Sequence, residues 1–156
     1  MDFLEEMLAP VARNLIALRG GMGAKKRRGA LEQLTSIPDT EERLVLSTGR
    51  FIGEGFDDAR LDTLFLTMPI SWKGTLVQYA GRLHRNHHGK TDVRIFDYVD
   101  AQVPMLARMF EKRLRGYAAM GYQRKDFETA SPSDVRNEYV IEYDQEALRL
   151  ADADPV

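Results

Sequence analysis

A glutamine and two arginines recur at helical spacing in the middle of the chain, at Gln78, Arg82 and Arg85. At about 100° per residue, positions i, i+4 and i+7 of an α-helix fall within about 60° of one another. The other side of the same helix collects apolar residues, namely Leu76, Tyr79, Ala80 and Leu83. A guanidinium group is planar and always charged, and it binds phosphate oxygens through paired hydrogen bonds. One face of this helix is therefore predicted to bind phosphate, although a solvated basic face would have the same pattern.

Residues 75–85 are predicted to form this helix, because Thr75 and Gln78 have the spacing of a capping box. Gly81 lies in its middle, where glycine costs about 1 kcal/mol relative to alanine. A glycine in such a place indicates that another group approaches the backbone closely.

Two glycine-rich turns each follow an apolar run. Residues 47–57 follow the run at 44–46, and residues 19–23 follow the run at 14–18. Both runs predict short buried strands, and Thr48 and Gly49 would then stand at the carboxyl end of the second. Ligands bind at the carboxyl ends of strands in open α/β sheets. Glycines at such a turn let backbone N–H groups come close to a ligand.

The helix and the second turn together resemble a known family. The pattern Gln-x-x-Gly-Arg-x-x-Arg, ending at Arg85, resembles motif VI of the superfamily-two helicases, the DEAD/DEAH-type ATP-dependent nucleic-acid translocases. The pattern Ser-Thr-Gly-x5-Gly-Phe-Asp, ending at Asp57, resembles their motif V, and residues 61–69 resemble the strand between the two motifs. Restriction- and repair-type helicases are the nearest in pattern, so the resemblance favours DNA over RNA as the nucleic acid.

The resemblance implies roles for individual residues. Arg85 would be the arginine finger, Arg82 its companion, and Gln78 would orient the phosphate or the attacking water, so these three are the expected catalytic residues. Gly55 and Asp57, together with the two arginines, would bind the nucleotide. The residues expected to hold the nucleic-acid backbone are Gly20, Gly21, Arg27, Thr48 and Gly49.

The family binds ATP between two RecA-like domains, and this chain has the features of the second one only. It has no P-loop and no acidic box for Mg²⁺. The segment Gly89-Lys90-Thr91 is not a P-loop, because His84 stands where the required glycine would be and no strand precedes it. ATP and Mg²⁺ are therefore expected only in complex with a P-loop-containing first helicase domain, and the isolated chain is expected to bind no cofactor and to hydrolyse no ATP.

Strand-like and helix-like segments alternate, which predicts an α/β fold. The resemblance implies a three-layer RecA-like domain with a mostly parallel sheet over residues 1–122, lacking its first strand. Residues 123–156 would be an extension with a strand at 138–143 and a mobile acidic end. The missing strand would leave unpaired backbone groups, so either residues 138–143 or a second copy of the chain is expected to complete the sheet.

A last helix is predicted to begin at Pro104, since proline suits the first turn. It is expected to bury Leu106, Met109, Phe110 and Leu114 and to expose Arg108, Lys112, Arg113 and Arg115. The first helix is predicted within residues 3–12, with Phe3, Leu4, Met7, Leu8 and Val11 at helical spacing.

The composition, 44% hydrophobic and 29% charged over 156 residues, predicts an ordinary globular protein. The chain has no cysteine, which excludes disulfides and thiolate metal sites and fits the cytoplasm. The three histidines, His84, His87 and His88, lack the neighbours of a metal site and are expected in a polar loop. A net charge of −2 argues against a free-standing nucleic-acid binder. Two alternatives remain open: a non-enzymatic orphan RecA-like module that binds a partner protein or nucleic acid, and an unrelated small α/β enzyme.

Overall fold

The structure is a computed structural model, and it describes residues 1–49, 57–70, 75–126 and 138–143. The chain divides into two compact units, Met1–Phe56 and Asp57–Val156. Helices and strands are mixed in both units, so the predicted α/β class is confirmed. Among the described residues, no helix combines the length and the apolar character needed to cross a bilayer.

The first unit consists of α1 (Asp2–Leu8), β1 (Leu15–Leu18), α2 (Ala24–Ser36) and β2 (Leu44–Ser47). The strands β1 and β2 pair in parallel, from Leu15 opposite Leu44 to Leu18 opposite Ser47. Parallel neighbours need a crossover connection, and α2 provides it. Ile16 and Leu18 on β1 and Leu34 on α2 are buried and form the centre of this unit. Both strands occur where the apolar runs predict them.

Helix α1 differs from its prediction. It ends at Leu8, and the side chains of Phe3, Met7 and Val11 are largely exposed. The arginine that follows β1, Arg19, forms ion pairs with Asp2 and Glu5 of this helix. Helical spacing of apolar residues therefore does not mark a buried face here.

The second unit contains a four-stranded sheet and two helices: β3 (Thr63–Leu66), α3 (Thr75–Leu83), β4 (Val93–Tyr98), α4 (Pro104–Ala119), β5 (Gln123–Asp126) and β6 (Glu138–Tyr143). The strand order is β3-β4-β6-β5. The strands β3 and β4 are parallel, whereas β6 is antiparallel to both of its neighbours. The predicted strand at 138–143 is thus confirmed, and it lies between β4 and β5. The expected mobile end, residues 144–156, lies outside the described residues.

One face of β4 is buried and is covered by α4. Val93, Ile95 and Asp97 alternate along the strand and are each at most 1% exposed. Arg113 and Tyr117 of α4 contact Asp97 on this face.

The prediction that Arg113 is exposed is wrong. Its side chain is 2% exposed, and its Nε and Nη2 donate to the two carboxylate oxygens of Asp97 at 2.6 and 2.8 Å. Its Nη1 donates to the carbonyl of Ile70, and the hydroxyl of Tyr117 donates to Asp97 at 2.9 Å. Arg113 lies three residues after buried Phe110, within the stripe that faces the sheet. The positive charge of Arg113 predicted a solvent-exposed side chain, but the guanidinium pairs with a buried carboxylate on β4.

Candidate functional site

The two faces of α3 are as predicted. Leu76, Tyr79, Ala80 and Leu83 are all less than 5% exposed. On the other side, Gln78 is exposed and Arg82 is half-buried. The helix ends at Leu83, so Arg85 stands in the turn after the last helical residue and not within the helix. Burial of the apolar stripe determines which way the polar groups point.

The guanidinium of Arg85 forms an ion pair with Asp57, with 2.8 Å between Nη1 and Oδ2. The Arg85 side chain remains 58% exposed and that of Asp57 40% exposed. An ion pair this exposed contributes about 0–1 kcal/mol. It therefore orients the guanidinium while leaving it available to another anion. Asp57 and Arg85 are the last residues of the two predicted motifs, and the structure brings them into contact.

Next to Asp57, a tighter pair anchors the segment. Asp58 is 9% exposed and accepts two hydrogen bonds from the Arg60 guanidinium, at 2.7 and 2.8 Å, and one from the Arg60 backbone N–H. A bidentate pair with this burial is more rigid than the exposed Asp57–Arg85 contact. The sequence analysis did not single out these two residues. Their only signal was a pair of opposite charges two positions apart, which is common on surfaces.

Lys90 holds the carboxyl-terminal end of α3. Its Nζ donates to the carbonyl of Leu83 at 2.8 Å and to that of Arg85 at 2.9 Å. Gly89, with φ of +92°, makes the turn that returns the chain to the helix end. Burial lowers the pKa of Lys90, and the charges of Asp62 and Asp58 oppose that shift. In the sequence, Lys90 stands out only in a segment that superficially resembles a P-loop, so this contact was not predicted.

His84 lies between these contacts and joins α3 to Tyr122. Its Nε2 and the Tyr122 hydroxyl are 2.8 Å apart, and the two rings are 5.3 Å apart between centroids. Burial lowers the pKa of His84, and the nearby Lys90 charge lowers it further. Within the described ranges, no group of three or more His, Cys, Asp or Glu side chains is placed to hold a metal ion.

The depressed pKa of His84 predicts how stability depends on pH. The unfolded chain takes up a proton near the ordinary histidine pKa of 6.5, while the folded chain resists it. The free energy of unfolding should therefore be fully developed above about pH 6.5 and fall as the pH drops below it. Urea unfolding at several pH values would measure this slope. His84→Gln should flatten it, whereas His88→Gln, at an exposed position, should not. Equal slopes in all three proteins would contradict the prediction.

The predicted nucleic-acid contacts lie in the first unit, where the two glycine turns meet. The backbone N–H of Gly20 donates to the Thr48 hydroxyl at 2.9 Å, and the N–H of Thr48 donates to the Leu18 carbonyl at 3.2 Å. Gly21 has φ of +81°, which favours glycine. Gly49 and Gly21 are exposed, and Arg27 is half-buried in the first turns of α2. Gly20 and Thr48 are thus brought together, as a backbone-binding turn requires.

The predicted site residues are divided between the two units of the chain. Gly55 lies outside the described residues. Asp57, Gln78, Arg82 and Arg85 belong to the second unit. The five residues expected to hold nucleic acid all belong to the first unit. The functional roles of all of them stay predictions.

Gly81 is exposed on α3, and no atom of the described residues lies within 4 Å of a Cβ built there. The close approach that its presence predicts would therefore have to come from a partner. Gly81→Ala is expected to raise the free energy of unfolding by about 0.5–1 kcal/mol, because alanine favours the helix. Gly29→Ala, on α2 with equally open space, should stabilise by a similar amount. Chemical denaturation of both variants would measure this, and a destabilised Gly81→Ala protein would contradict it.

Comparisons with known proteins complete the description. No protein-family model matches the chain, and no solved structure matches it. The protein named Uncharacterized protein 108L, from Invertebrate iridescent virus 3, is 35% identical over 85 residues, which are 53% of this chain and 75% of the viral protein. At this identity and coverage, the chain belongs to the same family as viral protein 108L.

Proposed function

We propose that this chain is the second motor domain of an ATP-dependent DNA helicase or translocase. The observation that carries the proposal is the contact between Asp57 and Arg85, at 2.8 Å, in the turn that follows a helix with one buried side. This contact joins the ends of the two segments that resemble motifs V and VI. The proposal includes the finer fold, a three-layer RecA-like domain, and two parallel strand pairs with crossover helices support it.

The proposed chemistry is charge stabilisation during phosphoryl transfer. Arg85 would turn its guanidinium from the Asp57 carboxylate toward the γ-phosphoryl group, and Arg82 would contribute a second positive charge one turn earlier. Gln78, exposed on the same face, would orient the phosphate or the attacking water. A guanidinium stabilises the charge of a transition state most strongly in a closed cleft from which water is excluded. A first domain docked over this face would provide such a cleft.

ATP and Mg²⁺ would be held mainly by that first domain. Two guanidiniums and an amide fit phosphate oxygens and do not fit a metal ion, which prefers oxygen ligands. The Mg²⁺ ligands and the P-loop would therefore come from the partner. This chain would complete the pocket by adding positive charge on the γ-phosphoryl side.

The proposed DNA contacts are those of the first unit. The Thr48 hydroxyl would donate to a phosphate, and the Gly20-Gly21 turn and Gly49 would let a nucleic-acid backbone approach closely because they lack side chains. Neither contact reads sequence. Arg27 and the exposed Lys25 and Lys26 would add the electrostatic attraction that dominates backbone binding. Such contacts suit a motor that moves along any sequence.

Reconstitution tests the proposal. The full chain is mixed with a separately expressed P-loop first domain, and ATP hydrolysis is measured with and without DNA. We expect no turnover by either protein alone and DNA-stimulated turnover in the mixture. RNA of the same sequence serves as the control for the choice of DNA. A mixture that does not exceed the first domain alone would overturn the proposal, and so would turnover by this chain alone that Arg85→Ala abolishes.

The alternative is an orphan RecA-like module that binds a partner without catalysis. The exposed apolar side chains of Phe3 and Met7 on α1 and of Val11 just after it, at 57–74% exposure, favour a protein-binding surface there. Partner binding that is undiminished by Arg85→Ala, combined with no ATP turnover in the mixture, would support this alternative.

A further inference from the structure

We propose that Lys90 is a positioning residue that holds Arg85 in the orientation needed to reach phosphate. The inference rests on the proposed function, and it assigns a role to a lysine outside both helicase-like motifs. Its evidence is the pair of hydrogen bonds from the Lys90 ammonium to the carbonyls of Leu83 and Arg85, at 2.8 and 2.9 Å.

The end of α3 needs such a partner. The last carbonyls of a helix have no intrahelical donor, and the helix dipole makes that end negative. Arg85 is two residues beyond the final helical residue, Leu83, where helices fray. The Lys90 ammonium provides both hydrogen-bond donors for these carbonyls and a positive charge at the negative end of the helix.

Local geometry brings Lys90 back to the helix. The backbone N–H of Lys90 donates to the His87 carbonyl at 3.1 Å, which closes a turn. Gly89 occupies the left-handed region in that turn, with φ of +92°. The residue is half-buried, and its ammonium reaches the carbonyls of Leu83 and Arg85.

Arg85 is consequently held at two points. Lys90 binds its backbone carbonyl, and Asp57 binds its guanidinium. A charged group must stand within about 0.5 Å of its productive place to stabilise a transition state. Without Lys90, the Asp57 contact alone would hold the side chain, and it is too exposed to do so firmly. Loss of Lys90 should therefore lower kcat more than it changes KM.

The charged groups around Lys90 make its contact with the helix end depend on pH. The ammonium is near the carboxylates of Asp58 and Asp62, and its charge lowers the pKa of the His84 imidazole. Burial lowers the pKa of Lys90 itself. Lys90 should therefore lose its charge at a lower pH than an ordinary lysine, which would weaken its contact with the Arg85 carbonyl.

The test uses the full chain and sodium tripolyphosphate as the probe. The arginine Nε–H resonances are followed by NMR, with the Arg85 signal assigned from Arg85→Lys. In Lys90→Met, we expect the affinity measured at Arg85 to fall by about 3- to 10-fold, as for the loss of about 1 kcal/mol. Lys90→Arg should restore part of this loss, because it keeps the charge and the donors. Lys112→Met, which removes an exposed lysine on α4, should leave the affinity unchanged.

The outcomes separate this inference from the function on which it rests. If tripolyphosphate shifts Arg85 equally in Lys90→Met and in the unaltered chain, the positioning role is overturned and the proposed function stands. If tripolyphosphate leaves Arg85 unmoved in the unaltered chain, the positioning inference is overturned, whereas the proposed function is decided by the reconstitution with the first domain. Should Lys90→Met fail to fold, the same measurement is made with Lys90→Gln, which also removes the charge. A fall in affinity at Arg85 of about 3- to 10-fold is expected, and an affinity equal to that of the unaltered chain would overturn the inference.

Discussion

Replacing Arg85 by alanine is expected to lower DNA-stimulated ATP hydrolysis in the reconstituted complex by about 10³- to 10⁵-fold, the range for an arginine finger. The loss should be in kcat, because the guanidinium would meet charge that develops in the transition state. Stability should hardly change, since the side chain is 58% exposed and its pair with Asp57 is worth little. Single-turnover ATP hydrolysis with saturating DNA would measure the effect.

Two controls sharpen that experiment. Arg115→Ala removes an exposed arginine on α4 and should leave turnover within about twofold, as expected for a surface site. Arg85→Lys keeps a positive charge but loses the planar fork, so it should recover only part of the rate. If Arg85→Ala retains most of the turnover, Arg85 is not the finger and the role assigned from motif VI is wrong.

The second large effect is on stability. Asp97→Ala should lower the free energy of unfolding by about 3–5 kcal/mol, because it leaves the Arg113 guanidinium charged and unpaired inside the protein. Arg113 is 2% exposed, so water cannot replace the lost carboxylate, and the hydroxyl of Tyr117 loses its acceptor too. A domain is stable by only about 5–15 kcal/mol, so this is a large fraction. Urea denaturation followed by circular dichroism would give the number.

The companion variants test the cause. Arg115→Ala on the same helix should change the free energy of unfolding by no more than about 0.5 kcal/mol. The double variant Asp97→Leu with Arg113→Met should be more stable than Asp97→Ala, because no buried charge is left unpaired. A loss below about 1 kcal/mol in Asp97→Ala would show that the buried pair is not important for stability.

Local patterns predicted the secondary structure well, for a physical reason. The faces of α3 and the apolar runs of β1 and β2 depend on residues that are close in sequence. Burial then follows from the geometry of a helix or strand. Thr75 and Pro104 are the first residues of their helices, so both predicted helix starts are confirmed, because those preferences act within one turn.

The errors come from partners that are distant in sequence. Arg113 is buried because Asp97 lies on the neighbouring strand, and no pattern within α4 records that carboxylate. The stripe of Phe3 and Met7 is exposed because, among the described residues, nothing covers it. Lys90 returns to the helix end through a glycine turn, whereas its neighbours suggested only a false P-loop.

The sequence by itself determined that strands and helices alternate and that Gln78 and Arg82 would point away from the apolar side of one helix. Those features need only the periodicity of the backbone. The tertiary structure alone decided that Asp57 meets Arg85, that Lys90 caps α3 and that β6 lies between β4 and β5. Each of these contacts joins residues whose proximity depends on how separate elements pack, and packing is set by the whole unit and not by a local window.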